Sequence, residues 1–243
     1  MTKKTALVIS AHAADFVWRA GGAIALHQAR GYAVTVVCLS YGERGESAKI
    51  WKEPGVTLEK VKTARRLEAE RAAKALDVHD IQFFDLGDYP LEMDKDAKFR
   101  LVDVIRKVQP TFMMSHSLWD PYNTDHMFAT KVALECRMIA QAWGHNPHEK
   151  VLGAPQLYLF EPHQTEQMNW KPDVFLDITE VWDKKYAAIQ CMVGQEHLWT
   201  YYANLAQNRA NHFKRNSGGQ GGGRNAKYAE GFQSMFPRTV DEL

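Results

Sequence analysis

One stretch near the N-terminus restricts the possible folds of this chain more than any other: TALVISAHAADFVWRAGG, Thr5 to Gly22. Ala6-Leu7-Val8-Ile9 is a short apolar run rich in β-branched residues, which suits a strand buried on both faces of a parallel sheet. The run stops on His12 and Asp15, two metal-ligating residue types three positions apart. Gly21-Gly22 and an apolar-patterned segment follow and read as a helix through about Arg30. Open α/β sheets place their sites beyond the carboxyl ends of such strands. His-x-x-Asp alone is common, so its place at a strand end is what gives the pair weight.

The alternation continues. Ala33–Leu39 reads as a second strand, with the loop SYGERGES at Ser40–Ser47 and loop-like sequence to Thr57. Leu58–Leu76 reads as a helix, Ile81–Phe84 as a third strand, and Asp96–Val108 as a helix closed by Pro110. Thr111–Ser115 is a fourth strand that runs through HSLWDPYNTDH into a long helix from His126 to Trp143. This pattern predicts an α/β fold, a Rossmann-like parallel sheet sandwiched by helices. Leu157–Phe160 and Val174–Ile178 supply two more strands. Two helices follow: Thr179–Met192, with Thr179 as its cap, and Leu198–Phe213. No repeat and no long linker interrupts 1–243, so one domain is expected. The Gly-rich segment 217–223 lacks the Lys-Ser/Thr ending of a phosphate loop and reads as a flexible lid or linker.

Charge and cysteine content exclude several classes. Thirty Lys plus Arg against 29 Asp plus Glu leave +1, so no global field favours nucleic acid or an anionic membrane. The N-terminal apolar run is too short for a signal segment, and no stretch approaches the ~18 apolar residues of a membrane span. Cys38, Cys136 and Cys191 are widely spaced, without a CxxC. That argues for a reducing, cytoplasmic setting, against a thiolate zinc site, and for three small buried hydrophobes.

Three strand ends thus carry ligand types: His12 and Asp15, Glu46, and Asp125-His126. Two histidines and one carboxylate with an open position form a common catalytic zinc arrangement, in which the metal acts as a Lewis acid or activates water.

The motifs AHAAD, TVVCLS-x-GE-x-G and Asp125-His126, with LDITEVWDKKYAAIQCMVGQ and NAKYAEGF later on, resemble the LmbE-like deacetylases. These are the zinc enzymes related to N-acetylglucosaminyl-phosphatidylinositol de-N-acetylase. The resemblance implies an LmbE-like fold and zinc held by His12, Asp15 and His126. Two departures stand out. The family's His-Pro-Asp-Asp is here His12-Ala13-Ala14-Asp15, so the general base is replaced by Ala14. Its His-Pro-Asp-His is here Asn123-Thr124-Asp125-His126, so the first histidine is Asn123. The metal set is kept and the amide-hydrolysis apparatus is not.

A hydratase branch of the family also lacks that pair, and the whole chain resembles it, including the GERGES loop and FEPHQTE. Such enzymes add water across a carbon–carbon double bond conjugated to an oxo-acid in gallate and protocatechuate catabolism. The resemblance implies a zinc-dependent hydro-lyase acting on a small-molecule tricarboxylate, and a homo-oligomer. The alternatives are a zinc N-deacetylase of an N-acetylglucosamine conjugate that uses another base, and a metal-bound binding protein without turnover.

A tricarboxylate needs cationic partners. Residues 197–229 contain no acid and carry Arg209, Lys214, Arg215, Arg224 and Lys227, as an anion-facing lid would. Arg44, Asn123, Arg215 and Arg224 are the expected substrate-binding residues. With position 14 empty, Glu46 and His163 are the expected acid–base pair, His163 titrating near its ordinary ~6.5. Asp125 is expected to orient His126 or to cap its helix. His116, at a strand end, is a weaker binding candidate. His27, His79, His145, His148, His197 and His212 read as surface or structural.

Overall fold

Six of the seven strands lie where apolar runs predict them, and the pairing of the strands decides where the site forms. The computed structural model describes residues 4–217 and 225–238. The Gly-rich stretch 218–223 and Arg224 lie outside the described residues. The strands are β1 (Thr5–Ser10), β2 (Ala33–Cys38), β3 (Asp80–Phe83), β4 (Phe112–Ser115), β5 (Gln156–Phe160), β6 (Val174–Asp177) and β7 (Ala229–Ser234). They form one sheet in the order β3-β2-β1-β4-β5-β7-β6. The first five run parallel, with Ala6 opposite both Val34 and Phe112.

The helices are α1 (Asp15–Ala29), α2 (Ala48–Trp51), α3 (Leu58–Ala75), α4 (Lys95–Val108), α5 (Thr124–Ala140), α6 (Trp182–Gln190) and α7 (Trp199–Asn216). Residues of α1, α3 and α6 pack in one apolar core on one face of the sheet. Those of α4 and α5 pack in a second core on the other face. The helix after β1 and the helix after β4 therefore leave the sheet in opposite directions. A crevice opens between the carboxyl ends of these neighbouring strands, the switch point at which open α/β sheets bind ligands. Close packing fixes α1: a Cβ at Gly22 would stand 2.5 Å from Ile178 Cδ1, so only glycine fits there.

Four local expectations are corrected. The sheet is mixed, because β7 runs antiparallel between β5 and β6. AEGFQS has no apolar run, and it enters the sheet around a buried carboxylate. Glu230 pairs with Lys185 at 2.6 Å and accepts the backbone N–H groups of Gly22 and Ala23. The loop to Thr57 contains the short helix α2. Thr179 does not cap α6; its hydroxyl donates to Asp177 and accepts from Lys227 N. Cys38 and Cys136 are buried, whereas Cys191 is partly exposed. None of the described helices is long and apolar enough to cross a membrane.

Candidate active site

His12 follows β1, and Asp15 begins α1. The backbone N–H of His12 donates to Asp15 Oδ2 at 2.8 Å, so the short turn fixes both residues at once. His12 Nδ1 lies 3.2 Å from Asp15 Oδ2 and 3.2 Å from Glu46 Oε1, the latter reaching in from the loop after β2. His126, in the first turn of α5, brings Nε2 to 3.3 Å from Asp15 Oδ1. Three strand ends meet here. His12, Asp15, Glu46 and His126 each offer an atom within 4.8 Å of the others.

The donor chemistry fits a divalent cation. His12 Nδ1, His126 Nε2 and Glu46 Oε2 are buried and have no hydrogen-bond partner among the described residues. Buried polar atoms are rarely left so, and a shared cation would satisfy all three. Titration points the same way. Burial opposes charge on His12, yet Glu46, Asp125 and Asp15 raise its pKa well above the usual value. Burial also opposes charge on Asp15, but the His126 imidazole, with a hydrogen bond from His12, holds it well below the carboxylate range. The carboxylates surround a point that requires positive charge.

Carboxylates also orient both imidazoles. Asp120 Oδ2 lies 2.8 Å from His126 Nδ1, and Asp125 Oδ2 lies 3.3 Å from His12 Nε2. Asp125 therefore partners His12, not His126 as expected. It also accepts the N–H groups of Tyr89 and Leu91. The cap of α5 is Asn123, whose side chain accepts from Asp125 N. Asp120 was not visible as a partner in the sequence, because it reaches His126 through an aperiodic turn. His116 is fully buried and stacked on His126 at 4.1 Å, and its Nε2 accepts from Ala11 N. Burial and the neighbouring His126 push its pKa well below the usual value, so it forms a neutral wall.

Above the cluster is a cavity of ≈ 510 Å³ whose lining includes Glu46, Tyr89, Asn123, His126 and His163. Burial would raise the Glu46 pKa, but His12 and Arg65 hold it below the usual range. Burial, then Arg19, pushes His163 down to about 4, so this histidine is neutral near pH 7 rather than half-charged near 6.5. Asn123 Nδ2 donates to the Tyr89 hydroxyl at 2.9 Å. Burial pushes the Tyr89 phenol up to about 12. Ala14, where the family's base would stand, is fully buried in the apolar core beside α1.

The cations at the cavity are not the arginines expected there. Arg44 is exposed, and its guanidinium donates to the Asp88 carbonyl at 2.7 Å. Arg215 is exposed in the last turn of α7. Neither lines the cavity, and Arg224 lies outside the described residues. Arg209 is buried against Glu161, which neutralises it. Lys49, Lys52 and His197 line the cavity instead. Lys49 lies on α2 and Lys52 directly after it, in a stretch whose helix the loop-like sequence concealed; His197 is exposed, as a surface histidine is expected to be.

Residues 7–137 match the family described as PIG-L, GlcNAc-PI de-N-acetylase. The chain is 62% identical over 241 residues to the 4-oxalmesaconate hydratase of Pseudomonas putida, across 99% of this chain and 93% of that one. It is 27% identical to the diacetylchitobiose deacetylase of Thermococcus kodakarensis, across 95% and 82% of the two chains. The crystal structure of the 4-carboxy-2-hydroxymuconate hydratase from Pseudomonas putida superposes with a TM-score of 0.95 at 62% identity, covering 99% of both chains. The match to that family model spans more than half of the chain, which therefore belongs to the PIG-L (GlcNAc-PI de-N-acetylase) family.

Proposed function

We propose that this protein is a zinc-dependent hydro-lyase that adds water to the carbon–carbon double bond of 4-oxalomesaconate, the keto form of 4-carboxy-2-hydroxymuconate. The observation that carries the reading is Ala14. It puts a buried methyl group where a deacetylase needs its base, beside an otherwise complete donor cluster, in a chain 62% identical to a named hydratase.

His12, Asp15 and His126 would hold the zinc. When bound, the ion supplies a Lewis acid that polarises the substrate's oxo group. The protein supplies the rest. Lys49 and Lys52 at the cavity, with Asn123, bind carboxylate and oxo oxygens. Glu46 and His163 exchange the proton. Water gives its oxygen to the new C–O bond and a proton to one member of the pair. The former π electrons then form a C–H bond at the adjacent carbon with a proton returned by the pair, and no proton is consumed. His163 is neutral near pH 7 and so enters the cycle as a proton acceptor.

The chain is read as one catalytic domain working as a homo-oligomer in the cytoplasm; its three unpaired cysteines support the reducing compartment alone. Two assays test the proposal: 4-oxalomesaconate followed by loss of its conjugated absorbance, and an N-acetylglucosamine conjugate followed by amine release. The expected result is turnover of the first alone. Amine release would restore the deacetylase reading. No turnover of either by fully metal-loaded protein would leave a binding protein. Elemental analysis of the purified chain should give one zinc.

A further inference from the structure

Asn123 stands where the family has a histidine, and its amide has one available orientation. Its Oδ1 accepts the N–H of Asp125 at 3.1 Å, which leaves Nδ2 to face the Tyr89 hydroxyl at 2.9 Å. Because the amide donates, the phenol oxygen accepts, and the phenol's own proton is not used by Asn123. The Tyr89 hydroxyl has no other hydrogen-bond partner among the described residues.

The ring is fixed in place. One face stacks on His12, with centroids 5.9 Å apart and planes 11° from parallel. It also lies against Gly45, where a Cβ would stand 1.9 Å from Tyr89 Cε2, so this loop position must be glycine. The Tyr89 backbone N–H donates to Asp125 Oδ2 at 2.9 Å. Its φ of +46° is left-handed, which a bulky residue adopts only where its surroundings enforce it. Tyr89 is nonetheless 43% exposed, and it lines the same cavity as Glu46, His126 and His163.

We propose that the Tyr89 O–H is a hydrogen-bond donor to the substrate oxygen on which negative charge collects during water addition, and that Asn123 sets its direction. The inference rests on the hydratase reading. As the C–O bond forms, the π pair of the double bond shifts through conjugation onto an oxygen of the carboxylate borne by the neighbouring carbon, the one that will take the proton. It returns to form the C–H bond when the acid–base pair delivers the proton. The tyrosine keeps its own proton throughout. Its hydrogen bond strengthens as charge develops on the oxygen, so it acts on the transition state more than on the bound substrate.

Two variants and their combination test this, by kcat and KM for 4-oxalomesaconate with zinc content measured on each. Tyr89→Phe keeps the ring on His12 and removes the donor. Its kcat should fall by roughly 10²-fold, with KM and zinc little changed. Asn123→Asp keeps a cap for Asp125 N but offers a carboxylate that accepts the phenol's hydrogen bond and turns it away from the substrate, so kcat should fall similarly with the hydroxyl still present. The double variant should be no slower than Tyr89→Phe, because both changes remove one interaction. Near-wild-type kcat in Tyr89→Phe, or losses that simply add, would overturn the proposal. A wild-type protein that does not hydrate 4-oxalomesaconate would overturn the parent reading instead. If Tyr89→Phe does not fold, Asn123→Asp decides, and undiminished kcat there sinks the proposal.

Discussion

Asp120 Oδ2 lies 2.8 Å from His126 Nδ1, and this contact determines that Nε2 is the nitrogen presented to the donor cluster. A carboxylate in that position fixes the tautomer of the ring and increases its basicity as a ligand. Removing such a partner typically costs 10–100-fold in metal affinity. Asp120→Ala should therefore weaken zinc binding by roughly that factor in a chelator competition, with the fold retained. Unchanged affinity would mean that the stack on His116 alone orients the ring.

Glu46 and His163 share a cavity but differ in their contacts. Glu46 reaches the donor cluster at 3.2 Å from His12, whereas the nearest polar partner of His163 is the Tyr202 hydroxyl at 3.4 Å. Glu46→Gln and His163→Ala should each keep zinc and lose roughly 10²-fold or more in turnover. A change confined to KM would reassign the residue to substrate binding. Loss of zinc from Glu46→Gln would make Glu46 a fourth ligand.

The depressed pKa of His163 has a consequence for stability. Its folded value, about 4, lies below the ~6.5 of a free histidine, so the unfolded chain takes up the proton first as pH falls. The neutral ring's contribution is complete above about 6.5 and is lost as pH drops toward 4. It amounts to at most about 3 kcal/mol. Denaturant midpoints measured from pH 7 to pH 4 should fall less steeply for His163→Asn than for the wild type. Parallel curves would show that the ring is solvated.

Lys52 is exposed at the cavity and makes no ion pair among the described residues, whereas Lys49 is held 2.8 Å from Glu196. Lys52 is thus the cation most available to a substrate carboxylate. Lys52→Ala should raise KM by about tenfold at low salt, with kcat largely kept and the difference shrinking as salt is added. An unchanged KM would point to Lys49 or to residues outside the described chain.

Arg65 is fully buried, with its guanidinium 2.6 Å from Glu68 and 2.7 Å from Gln195 Oε1. It also stands 3.8 Å from Glu46 Oε2, so it supports the loop that delivers Glu46. Arg65→Met strands the Glu68 carboxylate and should cost about 3–5 kcal/mol in denaturant unfolding. A loss under ~1 kcal/mol would show that water reaches the pair.

The sequence by itself determined the sites of six strands, the strand-end positions of His12, Asp15, Glu46 and His126, and the absence of a base at position 14. Each is local. A β-branched run or a ligand type at a strand's end is written within a few residues, and parallel β-α units carry those ends to one rim. Only the tertiary structure decided the partners. Asp125 binds His12 across 113 residues rather than its neighbour His126, because the turn after Asn123 points its carboxylate back toward β1. Tyr89 reaches Asn123 across 34 positions, and Arg209 is consumed by Glu161 across 48. β7 joins the sheet through long-range pairing and a buried ion pair that no periodicity marks. Lys49 of α2 and Lys52 directly after it line the cavity through the fold of a loop. Such contacts depend on how distant segments pack, and side-chain chemistry read along the chain carries no signal of that.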